Sequence, residues 1–145
     1  MKPIVTWVLL ANTRNASILV NNGPGKGLAP LPNGDWTSEA ADDPRDKAGV
    51  GHSIAGHGLS AVEQTDPQRL IDERFARRLS RHLSKSLAEK HFNRLIVVAG
   101  PHMLGLLRAS FDDRSKSALI GEIDKDLTGQ PVETVMSHVD QFIAT

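Results

Sequence analysis

The sequence predicts an α/β (α+β) fold, a mixed β-sheet flanked by helices. Three observations carry that prediction. Two β-rich apolar runs follow one another near the start, a long stretch repeats an apolar residue every four positions, and five apolar residues stand in a row at Leu95-Ile96-Val97-Val98-Ala99.

Residues 4–11 and 15–21 are rich in Val, Ile, Leu and Trp, with Asn12 to Arg14 between them as a turn. They predict an antiparallel pair whose first strand, nearly all apolar, is central. Residues 22–64 differ in kind. They hold eight of the twelve glycines and predict a long irregular loop, with a short strand near Leu28 to Leu31. A helix opens at Thr65 or Asp66, where Pro67 suits the first helical position and Asp72 and Glu73 face the positive end of the dipole. Ile71, Phe75, Leu79, Leu83 and Leu87 are its expected buried stripe. The run 95–99 predicts a strand buried on both faces. Gly100-Pro101 then turns into a short helix carrying Met103, Leu104, Leu106, Leu107 and Phe111. Ser117 to Ile123 predicts a further strand, and Val132 to Ile143 a terminal helix begun by Pro131. The order is β-β-loop-α-β-α-β-α, with no internal repeat, and residues 1–145 are expected to form one domain.

A length of 145 residues suits one compact domain, and 39% hydrophobic residues argue against wholesale disorder. No run approaches the roughly 20 apolar residues of a membrane span, so no membrane insertion is expected. Residues 4–11 resemble a minimal signal segment but lack a clear small-x-small cleavage site and read better as half of a hairpin, so a cytoplasmic location is expected. With no cysteine, thiol nucleophiles, disulfides and Cys-based zinc sites are all excluded.

Charge balances at 17 Lys+Arg against 17 Asp+Glu, which disfavours a uniformly basic nucleic-acid binder. The balance hides an asymmetry. Residues 35–47 carry five acids (Asp35, Glu39, Asp42, Asp43, Asp46) against Arg45 and Lys47, a local −3. Residues 66–94 carry eight bases against four acids, a local +4. Arg74, Arg77, Arg78, Arg81 and Lys85, at helical spacings of three and four, are the candidate RNA-binding residues, since such a row can follow a phosphate backbone. A solvated helix face has the same composition.

The glycine-rich segment holding Gly49, Gly51, His52, Gly56, His57 and Gly58 is a candidate contact loop. It lacks the Lys and Ser/Thr of a nucleotide-binding P-loop, and two histidines in glycine-rich chain do not fix a metal. Glu122, Asp124 and Asp126 alternate and would share one side of a strand, as in a two-magnesium nuclease. No nucleophile motif is present, which weighs against catalysis and leaves the question open, and no cofactor or metal is expected.

Several segments carry a resemblance. Thr65-Asp66-Pro67-Gln68, Glu73-Arg74-Phe75-Ala76, Phe92-Asn93-Arg94-Leu95-Ile96-Val97-Val98-Ala99, Met103-Leu104-Gly105-Leu106-Leu107-Arg108 and Glu122-Ile123-Asp124-Lys125-Asp126-Leu127-Thr128 resemble the bacterial host attachment protein family, as does the opening Trp7-Val8-Leu9-x-Ala11. That family is similar in turn to the central domain of archaeo-eukaryotic peptide chain release factors. There a ribonuclease-H-like mixed sheet carries a Gly-Gly-Gln loop ahead of a basic helix beginning Arg-Phe-Ala-Arg. Arg74-Phe75-Ala76-Arg77 matches that helix, but the tripeptide is missing: Gly56-His57-Gly58 and an isolated Gln64 stand nearby. The resemblance implies a ribonuclease-H-like fold and contact with structured RNA or the ribosome, without peptide release. Two alternatives stay open: an attachment-related module that binds a protein partner and acts indirectly in adhesion, and a metal-dependent nuclease.

Overall fold

The computed structural model describes residues 3–39 and 66–145, and the fold is set by a strand with neighbours on both sides. Strand β1 (Thr6–Ala11) is buried along its whole length. It pairs antiparallel with β2 (Asn15–Asn21), Thr6 opposite Asn21 and Ala11 opposite Ala16. Asn12 closes the turn: its side-chain Oδ1 accepts the N–H groups of Arg14 and Asn15, both at 2.8 Å. On its other side β1 runs parallel to β5 (Arg94–Ala99), which runs parallel to β6 (Leu119–Ile123). Two short strands, β3 (Ala29–Pro30) and β4 (Trp36–Thr37), pair with opposite ends of β2. The order is β3-β2-β1-β5-β6, with β4 also on β2.

Because side chains alternate along a strand, β1 feeds two cores at once. Trp7, Leu9 and Ala11 join Leu95, Val97 and Ala99 beneath helices α1 (Pro67–Ala88) and α2 (Pro101–Ser110), which add Phe75, Leu79, Leu83, Met103 and Leu107. Val8 and Leu10 join Ile96 and Val98 on the opposite face, covered by Val135 and Val139 of α4 (Val132–Val139) and by Ile143. A strand covered on both faces has no polar side to show, which is why β1 and β5 read as unbroken apolar runs.

The predicted mixed sheet with helices packed on it is present, and the differences lie at element ends and in short elements. Strand β1 starts at Thr6, since Ile4 is half exposed. The weak strand expected at 28–31 is β3, whereas β4 was not expected, being two residues long. Helix α3 (Asp113–Ala118) also went unforeseen, and it delays the start of β6 from Ser117 to Leu119. Its cap is Asp112, whose Oδ1 accepts the Ser115 N–H at 2.8 Å. The terminal helix ends at Val139 rather than Ile143. In α1, Ile71 and Leu87 are only half buried, and Asp72, Ala76, Ser80 and Ser86 are buried instead. A strict four-residue spacing advances about 40° too far at each step, so the expected stripe winds off the sheet at both ends. No helix among the described residues is long and apolar enough to cross a membrane.

Candidate nucleic-acid interface

Helix α1 presents the candidate side chains. Asp66 caps it, its Oδ1 accepting the Gln68 N–H at 3.0 Å, and Pro67 occupies the first turn as expected. With Phe75, Ala76, Leu79 and Leu83 against the sheet, the bases fall on the outer side. At 3.6 residues per turn, Arg77, Arg81, Arg74, Lys85 and Arg78 spread over an arc of about 100°.

The five bases do not act alike. Arg74 forms a two-pronged pair with Glu39, Nη2 to Oε1 at 2.8 Å and Nε to Oε2 at 3.2 Å. The hydrogen bond from Arg74 holds the Glu39 carboxyl below the ordinary range, although both side chains are about half exposed and water screens the pair. Arg78 donates to the Thr37 carbonyl at 3.2 Å, and its guanidinium carbon lies 5.5 Å from the Trp36 ring centre. Arg74 and Arg78 thus dock the β4 segment onto α1, a structural use that spacing alone does not reveal. Arg77, Arg81 and Lys85 form no ion pair among the described residues.

On the α2 side, a cleft of about 220 Å³ is lined by Arg77, Ser80, Arg81, Ser84, Ser110 and Asp112. It adjoins a second cavity of about 440 Å³, which shares Arg77 and Ser110 and adds Arg69, Glu73, Leu106 and Ala109. Together they make a groove between α1 and α2. On the other side, Lys85 borders a cavity of about 270 Å³ with Trp7, His82, Glu89 and His91. His82 stacks on Trp7 with ring centres 6.0 Å apart and lies 4.9 Å from Trp36. Burial pushes the His82 imidazole below its ordinary value, and the nearby Lys85 and His91 push the same way. Its Nε2 and the Trp36 Nε1 are buried without a hydrogen-bond partner among the described residues.

One polar pair was not foreseen. Asp72 is 3% exposed and accepts from Gln68 Nε2 at 2.8 Å and from His102 Nε2 at 2.9 Å, tying α1 to the start of α2. A sequence signal existed: Asp72 lies three residues before Phe75 and seven before Leu79, on the side of the helix that faces the sheet.

The contact loop expected at Gly49, Gly51, His52, Gly56, His57 and Gly58 lies outside the described residues. The carboxylate row does not form the expected common face. Strand β6 ends at Ile123, so the alternation stops after Glu122. Glu122 receives both prongs of Arg108, Nε and Nη2, while Asp124 is exposed just after the strand. Asp126 accepts from Thr128, and from Asn12 Nδ2 at 3.2 Å. Burial pushes the Asp126 carboxyl up, and the Thr128 and Asn12 hydrogen bonds more than offset it, leaving it below its ordinary value. Among the described residues no group of three or more His, Asp or Glu side chains is arranged to hold a metal.

A search of curated proteins finds none that matches the chain. The family model described as "Protein required for attachment to host cells" matches residues 7–139, a span running from β1 to the last residue of α4. The chain belongs to this host attachment family.

Proposed function

We propose that this protein binds structured RNA, on the ribosome or free, through the outer face of α1, without catalysing a reaction on it. The observation that carries the reading is the set Arg77, Arg81 and Lys85, exposed on successive turns and left without carboxylate partners among the described residues. Spaced four residues apart, they repeat every 6 Å or so along the helix, a pitch suited to neighbouring phosphates. Arg74 and Arg78 stand beside them, partly committed to Glu39 and Thr37.

The similarity of Arg74-Phe75-Ala76-Arg77 to the basic helix of release-factor central domains supports the same reading and a ribonuclease-H-like relationship. The missing Gly-Gly-Gln tripeptide separates this chain from peptide release. On this reading the protein works in the cytoplasm, and its family's link to attachment reflects an indirect effect of RNA or ribosome contact.

The test is co-sedimentation with ribosomes, and fluorescence anisotropy with an RNA hairpin, across a salt series. Binding should weaken with salt in proportion to the phosphates contacted, about 0.7–0.9 in logarithmic slope for each. No binding even at low salt overturns the reading.

A further inference from the structure

We infer that the cleft between Arg77 and Arg81 is a seat for one phosphodiester of the bound RNA backbone. This rests on the RNA reading of α1 and makes it specific.

Charge is the first argument. Two guanidiniums and one carboxylate, Asp112, line the cleft, which leaves it with one net positive charge, the complement of one phosphodiester. Asp112 does not quench the arginines, because no ion pair joins it to either of them. Its oxygens are engaged elsewhere. Oδ2 accepts the Ser84 hydroxyl at 2.6 Å, and Oδ1 accepts the Ser115 N–H at 2.8 Å. The Ser84 bond, with that from Ser115, holds its carboxyl below the ordinary range.

The second argument is an unmet hydrogen bond. Ser80 lines the cleft and is 6% exposed, yet its hydroxyl has no hydrogen-bond partner among the described residues. A helical serine ordinarily satisfies itself on the carbonyl four residues back, as Ser110 does on Leu106 at 3.0 Å. A buried hydroxyl left open costs stability unless something completes it, and a phosphate oxygen flanked by two arginines is a strong acceptor. Shape is the third. The cleft continues through Arg77 and Ser110 into the neighbouring cavity between α1 and α2, so an extended backbone has room to enter and leave.

The experiment compares wild type with Ser80→Ala, Arg77→Gln and Arg81→Gln, using a fluorescein-labelled RNA hairpin across a salt series and thermal melting in parallel. Ser80→Ala removes only an unpartnered hydroxyl, so melting should hold or rise. Its RNA affinity should fall about tenfold with the salt slope unchanged, because no charge is lost. Each arginine variant should lower affinity and reduce the slope by about 1. Arginine variants that weaken binding beside a Ser80→Ala that binds like wild type overturn the phosphate seat and leave the RNA reading standing. Wild type that binds while all three variants match it overturns the seat and moves RNA contact off this side of α1. Wild type that fails to bind overturns both.

Discussion

His102 Nε2 donates to the buried Oδ2 of Asp72 across 2.9 Å, joining two helices through a carboxylate that has almost no access to water. The ring itself is half exposed. The pair therefore couples an interior acceptor to a surface donor, and its two halves should respond differently to removal. His102→Ala strips one of the two donors from a buried carboxylate and should cost about 1–2 kcal/mol in urea unfolding. In His102→Ala, adding Asp72→Asn should recover part of that loss, since the amide carries no charge to solvate. A double variant no more stable than the single one would show that Asp72 is not sustained by His102.

His82 makes stability depend on pH. Its folded-state pKa lies below the ordinary 6.5, so the unfolded chain binds more protons as pH falls through that value. Stability should be level above about pH 6.5 and should decline below it. In His82→Leu the decline between pH 7 and pH 5 should be shallower. Equal slopes in the two proteins, followed by chemical denaturation, would remove His82 as the cause.

Gly121 lies in β6 under the ring of Phe142, where an added Cβ would sit 2.6 Å from Cδ1. Gly121→Ala should push the ring aside and destabilise the protein by about 1–3 kcal/mol. Adding Phe142→Leu should restore part of the loss in a double-mutant cycle. Additive losses would mean the clash is relieved elsewhere.

Lys90 follows α1 with φ at 62°, in the left-handed region. Its N–H reaches the Leu87 carbonyl at 2.9 Å, and the next N–H, of His91, reaches Ser86 at 2.9 Å, which ends the helix. Lys90→Gly relieves the side-chain strain and should raise the melting temperature, by about 0.5–1 kcal/mol in stability. A lower melting temperature would mean the lysine side chain contributes more than its backbone costs.

What could be read from the sequence followed the length of each pattern. The apolar run 95–99 and the pair of runs before residue 22 read as strands, and they form β5, β1 and β2, with β1 and β5 the most deeply buried. Strand β4 carries just Trp36 and Thr37, too few residues to show a period, and its segment is held by Arg74 and Arg78 of α1, from outside the sheet pattern. Five of the six residues of α3 are polar and the sixth is Ala118, so nothing apolar repeats, and only the Asp112 cap marks it. Among the site residues, helical spacing placed all five bases on one face. It could not tell that Arg74 and Arg78 would be engaged by residues some 35–41 positions away. Long-range pairing is a property of the folded chain. The Asp72–His102 tie escaped for the same reason, its partners being 30 positions apart.

The central place of β1 also governs the order in which the sheet can be completed. Its hairpin partner is next in the chain, but its other neighbour begins at Arg94, 88 positions after Thr6. During synthesis β1 and β2 can zip together early, while the opposite rim of β1 keeps its backbone donors and acceptors open until β5 emerges. Fragments that stop short of Arg94 therefore expose a hydrophobic strand edge ready to pair with another chain, and should aggregate rather than fold.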